Sequence, residues 1–203
     1  MIGGTVAGYR LLGPFGNGAG LYRAASEGEG RPVLLLLTVP ERPEPEAAER
    51  FRRTAVAATE TGHPAILPLL AAGTLADGRL FAAFPVVEGE TLEDRLVRGP
   101  LPPVEALGVA LAVADVLKAA RTAGLVHGDL RPDRVLLTPG GLRLLGFGLG
   151  ETAAPGPAFD EGATVYRAPE RLAGAAPGPR ADVWALGVLL YEMLAGRPPF
   201  GGS

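Results

Sequence analysis

The sequence predicts an α+β chain in two parts, a strand-rich part over residues 1–87 and a mainly helical part over 88–203. Two observations carry this. Before Val87, short apolar runs alternate with glycine turns and enclose a single helical stretch; after Glu88, long runs at helical spacing dominate. A hydrophobic fraction of 47% over 203 residues is enough for a packed core.

In chain order, YRLL (9–12), LYRA (21–24) and PVLLLLTV (32–39) are parted by GPFGNGAG and GEGR, the pattern of consecutive antiparallel strands. A proline- and acid-rich connection leads into AAERFRRTAVAATETG (47–62), one amphipathic helix closed by Gly62. AILPLLAAGTL (65–75) and RLFAAFPVV (79–87) read as two more strands. In EGETLEDRLVRG, Thr91 suits a helix N-cap, and VEALGVALAVADVLKAARTAG (104–124) is a long helix ending at a glycine. The polar loop HGDLRPDR follows, then strand-like VLL, the turn TPGG, the strand LRLLGFG and a Pro/Gly-rich loop over 151–163. The last helix, ADVWALGVLLYEMLAG (181–196), is apolar nearly all round, which predicts burial on every side.

Several function classes are excluded at this level. A net charge of -3 with scattered charges leaves no footprint for nucleic acid or anionic lipid. The absence of cysteine removes disulfides, thiolate nucleophiles and Cys-type zinc sites, and two histidines, His63 and His127, are too few for most His-based metal sites. The N-terminus lacks the basic and apolar regions of a secretory signal. The longest apolar run, Val183 to Leu194, is shorter than the ~20 residues of a membrane span. A soluble, cytoplasmic chain is expected. The only lysine is Lys118.

The segments YRLLGPFGNG, HPAILPLL, EGETL, VHGDLRPDRVLL, YRAPE and ADVWALGVLLYEMLAGRPPF, in this order from Tyr9 to Phe200, resemble the protein kinase family, and within it the bacterial serine/threonine kinases of eukaryotic type. Small-molecule phosphotransferases share the HGDL style of loop but lack the YRAPE and DVWALGVLLYEMLAGRPPF segments. The resemblance implies a two-lobed protein-kinase-like fold: an N-lobe antiparallel sheet with one helix, and a mainly helical C-lobe expected to be incomplete after the central helix.

Phosphoryl transfer in that family is positioning plus electrostatics, and it needs a set of parts. Of the glycine-rich loop, Gly16 and Gly18 match the first two glycines, but Leu21-Tyr22 arrives early and the tip is about two residues short of the family spacing. A glycine-rich hairpin turn with no nucleotide role is the favoured reading of it. The strand lysine falls at Leu36, and the position of the small residue against adenine falls at Leu34; alternation along the strand turns both toward the cleft. The helix glutamate that pairs with the lysine falls at Thr54. Loss of both ends of that pair avoids a stranded buried charge.

In the catalytic loop, Asp129 stands at the general-base position and Arg131 at the phosphate-binding lysine, while Gly128 replaces the usual arginine and Arg134 the metal-binding asparagine. A guanidinium has only donors and cannot ligate a cation. The second metal ligand, the aspartate of DFG, is Gly146. No protein carboxylate or amide is left at either magnesium position. Retained positions serve architecture: His127 and Phe147 as apolar spine residues, Asp182 as the carboxylate that holds the catalytic-loop backbone, and Glu170 in the APE segment.

The pattern implies a catalytically inactive kinase-like domain, a pseudokinase, that regulates or scaffolds a protein partner such as an active kinase or another signalling protein. No cofactor is expected, neither ATP nor magnesium. Two other readings stand beside it: a divergent serine/threonine kinase or nucleotidyl transferase using Asp129 with Arg131 and Arg134, and a purely structural domain of a larger protein. Under the scaffold reading, Leu190 on the last helix is taken as an exposed docking position.

Overall fold

The computed structural model describes residues 3–16, 20–38, 45–148 and 164–200, with the side chains of 45–48 excepted. The N-lobe is one six-stranded antiparallel sheet: β1 (Thr5–Val6), β2 (Tyr9–Pro14), β3 (Leu21–Ser26), β4 (Pro32–Leu37), β5 (Ala71–Thr74) and β6 (Leu80–Pro85), in the order β1-β2-β3-β4-β6-β5. Helix α1 (Pro45–Glu60) links β4 to β5. The leucine run of β4 is continuous because both faces of this central strand are covered. Val33, Leu35 and Leu37 pack with Leu11, Ala24 and Ala83, whereas Leu34 and Leu36 pack with Phe15, Leu21, Phe51 and Phe84.

The segment 65–69 is not the strand that the sequence predicts; β5 is Ala71–Thr74, and Leu70 N adds one bond to Ala83 O of β6 (2.8 Å). Pro64 and Pro68 lack the N–H groups that a ladder needs. Ile66 instead makes a single parallel bridge to Leu144, with Leu67 N donating to Leu144 O (2.8 Å) and Leu144 N to Ala65 O (2.7 Å). These bonds fasten the end of the α1 segment to the second lobe.

The C-lobe carries a three-stranded sheet, β7 (Glu90–Thr91), β8 (Val135–Thr138) and β9 (Gly141–Leu144), in the order β7-β8-β9. Thr91 caps α2 (Leu92–Val97) as expected: its hydroxyl accepts from Asp94 N (3.0 Å), and Asp94 Oδ2 accepts from Thr91 N (3.4 Å), a reciprocal capping box. Helix α3 (Pro103–Thr122) packs against the last helix, and α4 (Pro169–Leu172) is a single turn. The last helix, α5 (Pro179–Ala195), buries Ala181, Asp182, Ala185, Val188, Leu189 and Met193.

The expected burial of α5 on every side does not hold. Val183 is 66% exposed, and Tyr191 and Leu194 are also exposed. A groove of about 480 Å³ runs along this face, lined by Val183, Trp184, Tyr191 and Phe200 among others, with the Trp184 and Phe200 rings stacked at 5.3 Å. Leu190 is not an exposed docking position either, since it packs against the C-lobe core. Among the described residues, no helix is long and apolar enough to cross a membrane.

Candidate functional site

The cleft between the lobes has an apolar roof. Leu34 and Leu36 project from β4 into a cluster with Phe15, Leu21, Ala82 and Phe84, and this cluster takes in Leu136 and Leu145 from the C-lobe below. Leu34 and Leu136 are 0% exposed and Leu36 is 2% exposed. A cationic side chain at Leu36 would be buried in this apolar cluster. Thr54 on α1 sits behind this cluster. A Cβ on Gly148 would come within 2.8 Å of Thr54 Cβ and 3.3 Å of Phe51 O, so α1 rests directly on the glycine that ends Gly146-Phe147-Gly148. At the front, a Cβ on Gly16 (φ +77) would lie 2.9 Å from Asp94 Oδ2 and 3.0 Å from Thr91 Cγ2. The β2–β3 hairpin therefore touches the cap of α2 through its backbone. Gly18 lies outside the described residues.

The floor is ionic. A 3-10 turn over Pro132–Arg134 folds the loop back on itself and brings Arg134 to Asp129. Arg134 Nε donates to Asp129 Oδ2 (3.1 Å) and Arg134 Nη1 to Asp133 Oδ2 (2.7 Å). Arg131 Nε pairs with Asp133 Oδ1 at 2.9 Å and stands 3.7 Å from Asp129 Oδ2. Asp133 and Arg134 are buried, at 4% and 5% exposure, and the two carboxylates and two guanidiniums alternate in space. Such a cluster survives burial only because each charge has an opposite one beside it. The position that holds a magnesium-binding asparagine in kinases thus contains a guanidinium already paired to the retained aspartate.

The protonation states follow from this arrangement. Burial pushes the Asp129 carboxyl up, but the guanidiniums of Arg131 and Arg134 outweigh it and hold the group below the usual carboxylate range. Burial pushes His127 down, against the opposing pull of Asp182 and Asp129. His127 Nε2 lies 3.1 Å from Leu145 O while its Nδ1 accepts from Asp129 N (3.3 Å), which fits a neutral imidazole with the proton on Nε2. Glu93, at the start of α2, is pushed above its ordinary range by burial first and by the nearby Asp133 second, with Arg131 opposing.

Asp182, 5% exposed, accepts from His127 N and Gly128 N, both at 2.8 Å. The His127 and Phe147 rings meet at 4.6 Å, and both are buried. Glu170 is exposed at the start of α4. Asp129 accepts its side-chain hydrogen bond from Arg134 (3.1 Å), with Arg131 farther off at 3.7 Å, because the 3-10 turn brings Arg134 back over the loop. Sequence reasoning passed over Phe15, Leu136, Asp133 and the pair Tyr166–Glu192, in which Tyr166 Oη donates to Glu192 Oε2 (2.6 Å). Phe15 and Leu136 were legible as apolar residues directly beside the glycine loop and the catalytic loop.

The protein kinase domain model matches residues 11–203. The chain belongs to the protein kinase family. This kinase-family chain is 33% identical over 208 residues to the serine/threonine-protein kinase pkn2 of Myxococcus xanthus, covering 96% of itself and 25% of that protein. It is 34% identical over 191 residues to the serine/threonine-protein kinase PknL of Mycobacterium bovis, covering 90% of itself and 47% of PknL. It therefore spans about a quarter to a half of these curated relatives. Among solved structures, the Mycobacterium tuberculosis PknI kinase domain superposes with a TM-score of 0.75 at 31% identity, covering all of this chain and 80% of that one. A variant of the same domain gives 0.78. The two-lobed kinase fold is thereby established. Within it, Leu34 and Leu36 are packed in an apolar cluster, Arg134 is paired to Asp129, and position 146 is glycine.

Proposed function

We propose that this domain is a pseudokinase, a protein-kinase-like module that regulates or scaffolds a protein partner in the cytoplasm without phosphotransfer and without ATP or magnesium. The observation that carries this reading is the joint state of roof and floor. Leu34, Leu36 and Leu136 are sealed together, and the guanidinium of Arg134 neutralises Asp129 from the metal side. Positioning and charge stabilisation are what kinases contribute to phosphoryl transfer, and both are replaced here.

The direct test is transfer of labelled phosphate from ATP with magnesium or manganese to the chain itself and to a generic basic protein. No transfer above the Asp129→Ala background is expected; transfer that Asp129→Ala abolishes overturns the reading. The partner arm of the proposal is checked on the exposed face of α5, where Val183→Ser and Tyr191→Ser should lose a partner that the parent chain retains in a pull-down. A divergent enzyme using Asp129 with Arg131 and Arg134 is favoured by one observation: the Asp129 side chain is 26% exposed and held ionised. Its relatives named above are also serine/threonine-protein kinases. The same transfer assay decides between the two.

A further inference from the structure

The lobes of this chain are held together on three sides by its own residues. At the front, the backbone of Gly16 rests on the capping box of α2, on Thr91 and Asp94. In the middle, one apolar cluster runs without a break from Leu34 and Leu36 of β4 to Leu136 of β8 and on to Leu145. At the back, residues 65–67 exchange two backbone hydrogen bonds with Leu144, Gly148 lies against Thr54 and Phe51, and His63 reaches Asp115 of α3 at 3.4 Å. We infer that the two lobes form a single closed body that neither hinges nor needs a ligand to close.

The physical reason lies in what opening would expose. Separating the lobes would bring Leu34, Leu36, Leu136 and Leu145, all nearly inaccessible, into water, and would break the backbone bonds at Leu144 with no replacement but solvent. A cleft with a polar lining lacks that penalty, because water can wet it. Packed interfaces also have discrete arrangements rather than graded ones, so a leucine-filled seam has one low-energy setting. The domain would then present its outer surface in a fixed form, independent of nucleotide level.

The absence of cysteine makes the measurement clean. Arg10→Cys on β2 and Leu111→Cys on α3 are exposed positions on rigid elements of the two lobes, and spin labels there report the distance between lobes by double electron–electron resonance. One narrow distance peak is expected, unmoved by ATP with magnesium. Two peaks, or a single peak that shifts when ATP is added, overturn the inference. The outcomes separate from those of the functional proposal: nucleotide binding with an unmoved peak sinks the empty cleft and leaves the closed body standing, while two peaks unaffected by nucleotide do the reverse. A third variant, Leu136→Ala in the labelled background, should broaden the peak; an unchanged width would mean that the leucine seam is not what holds the lobes.

Discussion

Under the proposed reading, the roof and the floor of the cleft part from kinase chemistry in opposite ways. Above, both members of an ion pair are gone, with Leu36 and Thr54 in their places, and what remains is packing. Below, the acidic residue stays, and the loop supplies its own cations in Arg131 and Arg134. The difference shows two routes to the same end. Removing both partners of a buried pair leaves an apolar contact that costs little or even stabilises, whereas keeping one buried carboxylate obliges the chain to keep a counter-charge. A roof built by removal should be intolerant of charge, and a floor built by compensation should be intolerant of losing one.

The largest effect expected tests the roof. Leu36→Lys places an ammonium in a sealed apolar cluster, and loss of about 3–5 kcal/mol is expected in urea unfolding, on the scale of an uncompensated buried charge. Burial lowers the folded-state pKa of such a lysine, so the deficit should deepen as pH falls and shrink toward the unfolded lysine range. Adding Thr54→Glu should recover part of the loss. A Leu36→Lys chain as stable as its parent would mean that the roof is open to water.

Close behind comes the backbone support. Asp182→Ala removes the acceptor of two N–H donors, the buried His127 N and the half-buried Gly128 N, and should cost about 3 kcal/mol, since bonds to a charged group are worth ~1.5–3 kcal/mol each. Asp182→Asn keeps one acceptor and should lose about half as much.

On the floor, Arg134→Ala leaves Asp129 and Asp133 sharing Arg131, with a loss of about 2–3 kcal/mol at neutral pH, reduced because the Asp129 side chain is partly exposed. The sign of the pH dependence is fixed. Asp129 has a folded-state pKa below its unfolded one, so its stabilisation is present above the ordinary carboxylate range and is lost as pH falls through the lowered value. Removing Arg134 raises that value, and acid unfolding of the variant should begin at a higher pH than in the parent. Smallest of the four, Thr91→Ala removes one hydroxyl from the capping box and should lower stability by ~1 kcal/mol in the same assay.

These expectations rest on features of unequal visibility in the sequence. The alternation of β4 placed Leu34 and Leu36 on one face, and the order of motifs placed Asp129, Arg134 and Gly146 around one cleft. The first reading used strand periodicity, which survives folding unchanged; the second is what the family resemblance implied. The partner of Asp129 was not visible, because a 3-10 turn brings together residues five apart, a separation that neither helix nor strand spacing favours. The fate of residues 65–69 was obscured by an apolar composition that suits a strand, while Pro64 and Pro68 bar the ladder. The seal between Phe15, Leu34 and Leu136 draws on three distant segments, and composition does not say which apolar residues meet. Likewise, the all-round apolar pattern of α5 foretold burial that the described residues do not provide at Val183, Tyr191 and Leu194.

Under the proposed reading, leucine packing and the Arg134 guanidinium occupy what ATP and magnesium would need. This central claim is tested most directly by the melting temperature of the domain with ATP, with and without magnesium. A ligand at a hundredfold excess over its Kd stabilises by ~2.7 kcal/mol, which moves a transition by several degrees. An unchanged melting temperature in both conditions is the predicted result, and a rise that depends on magnesium would contradict it.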